Sequence, residues 1–205
     1  MRIQIDNLSK RFGHDWVVKA LSHTIESGDK VAVSGANGSG KSTFLKLVSG
    51  FLSMTGGKID YALPDQSIHR NQISSHLSYA APYITFQPDF TPGEVYTHLS
   101  EHRQFRSTQV NEFLDKAELK SQRHKYLREF SDGMRQRLSL AIAIDCKSDL
   151  LLLDEPTSYL DQYYCDWYFD LLSNELGSRT LILASNAPED FKFCTSYLDS
   201  TAFIS

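Results

Sequence analysis

The sequence predicts an α/β fold: a mainly parallel sheet with helices on its faces, an antiparallel β subdomain at the N-terminus, and a helical subdomain inserted into the core. Three observations carry this expectation. Val31-Ala32-Val33 runs straight into a glycine-rich loop and then a helix-forming stretch. Leu150-Leu151-Leu152-Leu153 is apolar at every position, as a strand buried on both faces must be. From residue 133 onward helix-like and strand-like periods alternate, which favours parallel strands joined by helices.

Taken in order, two β-rich stretches, Ile3 to Phe12 and Leu21 to Val33, come first, broken by turn residues at Gly28-Asp29. Ser42 to Ser49 reads as a helix stopped by Gly50. A turn is expected at Gly56-Gly57, followed by short strands, one near Leu77 to Ala80. From Thr91 to about Phe130 the apolar residues Val95, Leu99, Phe113, Leu114, Ala117 and Leu127 recur at helical spacing among charges. A helix from Gly133 to Cys146, the strand Leu150 to Leu153, a helix from Gln162 to Leu176 and a strand from Thr180 to Ala184 complete the chain. In the last helix Tyr164, Trp167, Tyr168 and Leu171 share a face and are expected to pack on the sheet. There is no internal repeat. The expected organisation is a single domain over 1–205, with a core from 1–90 and 131–205 and a helical insert over 91–130.

The chain has 205 residues and a formal net charge of -4, which leaves no general basic field to draw it onto nucleic acid. Its longest apolar stretches, Leu138 to Ile144 and Leu150 to Leu153, fall far short of the roughly 20 residues that a membrane-crossing helix needs. The start alternates apolar and polar residues and lacks the apolar centre of a secretory signal, so a cytoplasmic location is expected. Cys146, Cys165 and Cys194 are odd in number and widely spaced, which suggests buried thiols rather than a disulfide framework or a zinc site. His98 and His102 share i, i+4 spacing but have no third patterned ligand, so a solvated helix face is expected. Arg123, His124, Lys125 and Arg128 form a short, interrupted basic cluster that is read as surface.

Gly35-Ala36-Asn37-Gly38-Ser39-Gly40-Lys41-Ser42 matches GxxxxGK[ST] in full, between a predicted strand and a predicted helix, which is the context that gives this motif meaning. The glycines let successive backbone N–H groups point at phosphate oxygens, and the helix start adds partial positive charge. Lys41 supplies a full charge to the β- and γ-phosphates, while the Ser42 hydroxyl suits Mg2+. Gly35, Asn37, Gly38, Ser39, Gly40, Lys41, Ser42 and Thr43 are therefore candidate triphosphate-binding residues on a P-loop NTPase core, which this loop alone does not separate from a kinase or a GTPase.

The leucine strand delivers two acids, Asp154 and Glu155, at its end, where ligands of α/β sheets usually bind. Asp154 is a candidate Mg2+ ligand together with Ser42. Glu155 is the candidate general base or water-positioning group for phosphoryl transfer. Taken alone, Ser131 and Asp132 read as the N-cap and first-turn acid of the next helix.

With these motifs in this order, the chain resembles the ABC ATPase family, whose LSGGQ signature stands where this chain has Phe130-Ser131-Asp132-Gly133-Met134. Ser158-Tyr159-Leu160-Asp161 resembles the family's D-loop. The resemblance covers nearly the whole chain. It implies two cassettes arranged head to tail, with Ser131 and the Gly133 N–H reaching the triphosphate held by the partner's Lys41, and Asp161 linking the two sites. It also implies that Phe12 stacks on adenine, with Trp16 as the reserve candidate.

Three positions depart from the family. Asp132 replaces a glycine and is expected to point away from nucleotide and stabilise its own helix start. Asn186 stands where the switch histidine is expected; an amide donates a hydrogen bond but carries no charge and shuttles no proton, so slower turnover is expected. Pro82 falls at the place of the Q-loop glutamine, and Gln87 is the substitute candidate.

The resemblance implies an ATP-hydrolysing motor subunit, with Glu155, Lys41 and Asn186 as catalytic candidates, that dimerises on ATP and drives a separate transmembrane permease. Such a subunit would be cytoplasmic and peripheral at the inner face of the cell membrane. The permease would dock around the helical insert and Tyr83 to Asp89. Two alternatives stay open: a soluble ATPase for cofactor assembly, and a slow-hydrolysing ATP-dependent switch. The stretch between Lys41 and Ser131 is too short for the long coiled coil of DNA-repair relatives.

Overall fold

A computed structural model describes residues 1–204; Ser205, at the end of the expected domain, lies outside the described residues. In chain order the strands are β1 (Arg2–Phe12), β2 (Asp15–Ile25), β3 (Lys30–Ser34), β4 (Gly56–Leu63), β5 (Gln66–Ile68), β6 (Leu77–Ala80), β7 (Leu150–Asp154), β8 (Thr180–Ala184) and β9 (Ser196–Asp199). The α-helices are α1 (Lys41–Val48), α2 (Pro92–Ser100), α3 (Val110–Lys116), α4 (Asp132–Asp145) and α5 (Gln162–Glu175). The chain divides into two compact units.

The first unit comprises Met1–Tyr79, Ser148–Glu155 and the stretch from Ser178 onward. It holds a four-stranded antiparallel sheet in the order β2-β1-β4-β5 and a five-stranded sheet in the order β6-β7-β8-β3-β9. In the second sheet β7, β8, β3 and β9 run parallel, and every residue of β7 and β8 is buried, which is why residues 150–153 and 181–184 read as apolar runs. Parallel register aligns the carboxyl ends: Asp154 and Val33 each pair with Ala184, and Ser34 pairs with Asp199. The segments leaving these strands therefore emerge at one edge. The core joins the alternating Ile3 and Ile5 of β1 to Phe44, Leu45 and Val48 of α1 and to Leu150 and Ile182 of the sheet.

The second unit comprises Ala80–Lys147 and Pro156–Gly177. Thr91 and Glu94 form a reciprocal capping box that starts α2, with Pro92 in its first turn. Tyr96 stacks on Phe113 with centroids 4.6 Å apart, inside a cluster that includes Leu114, Leu138 and Ala141. An ionic network crosses this cluster's rim. Asp145, fully buried, accepts from Lys116 Nζ at 2.5 Å and from the Ser107 hydroxyl at 3.1 Å. Lys116 also reaches Glu175 at 2.8 Å, and Glu175 pairs with Arg106 at 3.1 Å. Burial opposes the Lys116 charge, yet the two carboxylates outweigh it and raise its pKa.

The fold class stands as expected, while several local readings need correction. Gly56 and Gly57 open β4 rather than forming a turn; Gly57 has φ +82°, and a Cβ there would lie 2.3 Å from the Asn7 carbonyl oxygen, so glycine serves a close strand approach. β2 starts at Asp15 rather than Leu21, since the hairpin turn at Gly13-His14 pairs Phe12 with Asp15. The helical insert is less continuous than its periodicity suggests: beyond α2 and α3 it contains 3-10 turns at Lys120–Gln122 and Leu127–Glu129. Within the helical unit the Trp167 indole donates to the Lys116 carbonyl at 2.9 Å and the Arg137 guanidinium sits 3.8 Å from the Tyr164 ring centroid. All three cysteines are free thiols, but only Cys146 is buried; Cys165 and Cys194 are half-buried. Desolvation pushes the Cys194 thiol up to about 12.

Candidate functional site

The loop between β3 and α1 has left-handed backbone at Gly35, Gly38 and Gly40 (φ 142°, 78° and 99°). Two of these glycines are demanded by close neighbours as well. A Cβ on Gly35 would lie 1.8 Å from Ser200 Oγ, and one on Gly40 would lie 2.8 Å from Val17 Cγ1. At Gly38 nothing stands within 4 Å, so the crest of the loop, with exposed Asn37 beside it, is open. α1 has no side-chain N-cap and no acid in its first turn, which leaves its N–H groups and dipole for an anion.

Lys41 is 5% exposed. Its ammonium donates to the carbonyl oxygens of Gly35 at 2.8 Å and Ala36 at 3.2 Å, and lies 3.7 Å from Glu155 Oε1. Ser42 and Thr43 follow in the first turn, half-buried. Asp154 is buried at the end of β7, and Glu155 leaves the strand with φ +46°, its N–H tied to the Ala184 carbonyl at 2.8 Å. That left-handed residue turns the Glu155 carboxylate toward Lys41. Asn186 donates its side-chain amide to Asn37 Oδ1 at 2.9 Å, so the residue after β8 touches the phosphate loop. Lys41, Glu155, Asn37 and Asn186 are thereby brought together.

The β1–β2 hairpin carries Phe12 and Trp16, 51% and 40% exposed, each under a cation: Lys10 Nζ at 4.8 Å from one ring and the Arg11 guanidinium at 5.6 Å from the other. Val17, next to Trp16, is the residue that crowds Gly40, so the hairpin abuts the loop.

In the second unit Ser131 caps α4, its hydroxyl accepting from Met134 N–H at 3.3 Å. Asp132 pairs with Arg135 at 2.9 Å on its own helix. A Cβ on Gly133 would lie 2.8 Å from the Tyr159 carbonyl oxygen, so this position is glycine for a close backbone approach. Asp161 caps α5 by accepting from Tyr164 N–H at 3.0 Å. Buried Gln136 donates to the Pro156 carbonyl at 2.8 Å and joins α4 to the start of the same loop. Pro82 lines a cavity of about 270 Å3 with Asp132, Arg135, Ser139 and Tyr159, whereas Gln87 lines a separate recess with Phe86 and Phe90. The His98 and His102 rings meet edge-on at 5.8 Å, and among the described residues no group of three His, Cys, Asp or Glu is placed to hold a metal.

The loop fits a triphosphate on three observations: left-handed glycines, an uncapped helix start, and the Ser39 hydroxyl, which is buried with no hydrogen-bond partner. The Ser42 hydroxyl and Asp154 carboxylate are hard oxygen donors of the kind Mg2+ takes. Sequence reading missed Ser185, Asp190 and Ser200, which reach the site only through tertiary contacts.

Residues 18–158 match the family described as ABC transporter. Nod factor export ATP-binding protein I of Burkholderia lata is 30% identical over 196 residues, which cover 92% of this chain and 64% of that protein. The sulfate/thiosulfate import ATP-binding protein of Synechococcus elongatus is 34% identical over 165 residues, covering 78% and 47%. The chain thus spans about half to two-thirds of the length of these relatives. A dimeric post-hydrolysis structure of the ATP-binding cassette MJ0796, bound to ADP and Pi, superposes with a TM-score of 0.80 at 21% identity over 96% of this chain and 93% of that one, which shows a shared fold. No helix among the described residues is long and apolar enough to cross a membrane. With a family match over well over half its length, this chain belongs to the ABC transporter family.

Proposed function

We propose that this chain binds ATP with Mg2+ and hydrolyses it as the motor subunit of an ABC transporter, dimerising on ATP to drive a separate membrane permease at the inner face of the cell membrane. The observation that carries the reading is Lys41, almost wholly buried in the glycine loop and 3.7 Å from Glu155. A buried ammonium beside the loop's own carbonyls is a cation held ready for a phosphate, since a triphosphate offers stronger acceptors than peptide oxygens.

In this reading the loop N–H groups and Lys41 bind the β- and γ-phosphates, and Phe12 or Trp16 covers the adenine. Ser42 and Asp154 would hold Mg2+, which would neutralise charge on the phosphates. Glu155 orients the attacking water and accepts its proton; the water oxygen bonds to the γ-phosphorus as the bond to the bridging oxygen breaks, leaving ADP and phosphate. Asn186 donates an amide hydrogen bond to a γ-phosphate oxygen. Ser131 and the Gly133 N–H of a second cassette complete the site, with Asp161 linking the two. Dimeric MJ0796 bound to ADP and Pi supports this arrangement by shared fold.

The test is phosphate release by the purified chain and by Glu155→Gln. The expected result is Mg2+-dependent turnover in the wild type, a drop of about 100-fold or more in the variant, and an ATP-trapped dimer in gel filtration. Equal, negligible turnover in both proteins with ATP bound would favour the switch. Co-purification of the native protein with a soluble scaffold rather than a membrane protein would favour cofactor assembly.

A further inference from the structure

Left-handed glycines at 35, 38 and 40 make the phosphate loop intrinsically loose, because glycine loses more backbone freedom on ordering than any other residue. That cost falls on ligand binding unless the protein orders the loop beforehand. The crest at Gly38 is open, but the glycines on either side of it are both contacted by one short element, the 3-10 turn Ser200–Phe203. At Gly35 the Ser200 Oγ fills the place a Cβ would take, 1.8 Å from it. At Gly40 the Phe203 Cδ2 lies 3.4 Å from the corresponding point, where Val17 Cγ1 of β2 also stands at 2.8 Å.

Phe203 is fully buried and stacks on Phe44, with ring centroids 5.3 Å apart. The Phe44 N–H donates to the Gly40 carbonyl at 2.8 Å, the hydrogen bond that opens α1. One ring therefore lies against both residues joined by that bond, and Lys41 follows directly after Gly40. The turn has its own supports. It follows β9, which pairs with β3 as far as Ser34 and Asp199, and Asp199 caps it by accepting from the Thr201 N–H at 2.7 Å. Because β3 leads into the phosphate loop, loop and turn leave neighbouring strands in fixed register.

We propose that Ser200 and Phe203 are positioning residues for the nucleotide: their turn braces Gly35 and Gly40 in left-handed backbone before ligand arrives, so that the loop N–H groups and Lys41 already face the phosphates. Neither side chain touches phosphate in this assignment. It deepens the ATP-binding reading and rests on it for the effect on affinity, while the bracing of the loop stands apart from it. A Phe203 that merely filled the core would act differently. Cutting it down would loosen whatever shares that core, including Leu152 of β7, whereas removing a brace loosens the loop first.

Amide hydrogen exchange of the nucleotide-free protein, with calorimetric titration by Mg2+ and ADP, tests the proposal. In Phe203→Ala the Phe44 amide should exchange at least about tenfold faster than in wild type while the Leu152 amide keeps its rate. ADP affinity should fall about tenfold, and Phe203→Leu, which refills most of the volume, should recover most of both losses. Ser200→Ala should speed exchange at the other end of the loop, at the Ser39 amide that donates to the Ala36 carbonyl at 3.2 Å. A Phe44 amide as protected as in wild type overturns the proposal. So do equal acceleration at Phe44 and Leu152, and wild-type ADP affinity in a variant whose loop is loosened. Should Phe203→Ala fail to fold, Ser200→Ala decides by the same contrast between Ser39 and Leu152. A wild type that binds no ADP sinks the ATP-binding reading instead, and the exchange contrast then judges the brace alone.

Discussion

Asn186 and Asn37 are joined by a side-chain hydrogen bond of 2.9 Å, which ties the segment after β8 to the exposed shoulder of the phosphate loop. An amide in that position can pass its N–H from Asn37 to a phosphate oxygen but adds no charge. Replacing it with histidine adds a group that titrates near neutrality. Asn186→His is expected to raise ATP turnover several-fold, up to about tenfold, at neutral pH, measured by phosphate release. Unchanged or slower turnover would show that the amide is not what limits the rate.

Gly133 offers a second prediction because two effects oppose each other there. Alanine favours a helix over glycine by roughly 1 kcal/mol. The added Cβ, however, would stand 2.8 Å from the Tyr159 carbonyl oxygen, a backbone atom that must move to make room. The clash should win. Gly133→Ala is expected to lower the melting temperature by a few degrees and to displace the segment leading to Asp161, cutting turnover at least as strongly as ATP affinity. A variant as stable and as active as wild type would show that the close approach is dispensable.

The Asp145 network makes a third, independent of nucleotide. Asp145→Ala removes the anion from a fully enclosed site and strands Lys116 beside Glu175; a loss of about 3–5 kcal/mol is expected for breaking such a pair, read from urea unfolding. Lys116 has a folded pKa above the ordinary lysine value of 10.5. A raised folded value means the contribution is complete below 10.5 and fades as pH rises through the folded value. The stability advantage of wild type over Lys116→Met should therefore be constant from neutral pH to about 10 and shrink above it. An advantage that changes between pH 7 and 9 would place the effect on another group.

The elements most legible in the sequence are those whose burial is uniform or whose motif is dense. β7 and β8 were readable because every residue in them is buried, and α4 because Ser131 caps it in the expected way. β9 escaped notice: only Leu198 of Ser196–Asp199 is buried, so the strand exists by pairing with β3 rather than by its own pattern. Gly56-Gly57 carries the local chemistry of a turn, yet the approach of β1 turned it into strand.

The same division runs through the site. Eight consecutive residues from Gly35 to Ser42 and the acid pair Asp154-Glu155 carry the expectation of a phosphate site by themselves, because their chemistry depends on neighbours in the chain. What surrounds them was settled by parallel register, which brings the ends of β3, β7, β8 and β9 to one edge and so sets Ser200 against Gly35, Asn186 against Asn37, and Ser185 between Glu155 and Asp190. A hydrogen bond between residues far apart in the chain leaves no local mark, since either partner alone is an ordinary polar side chain. The linear order of residues therefore determined which groups are proposed to meet phosphate, and the folded sheet decided which groups lie beside them.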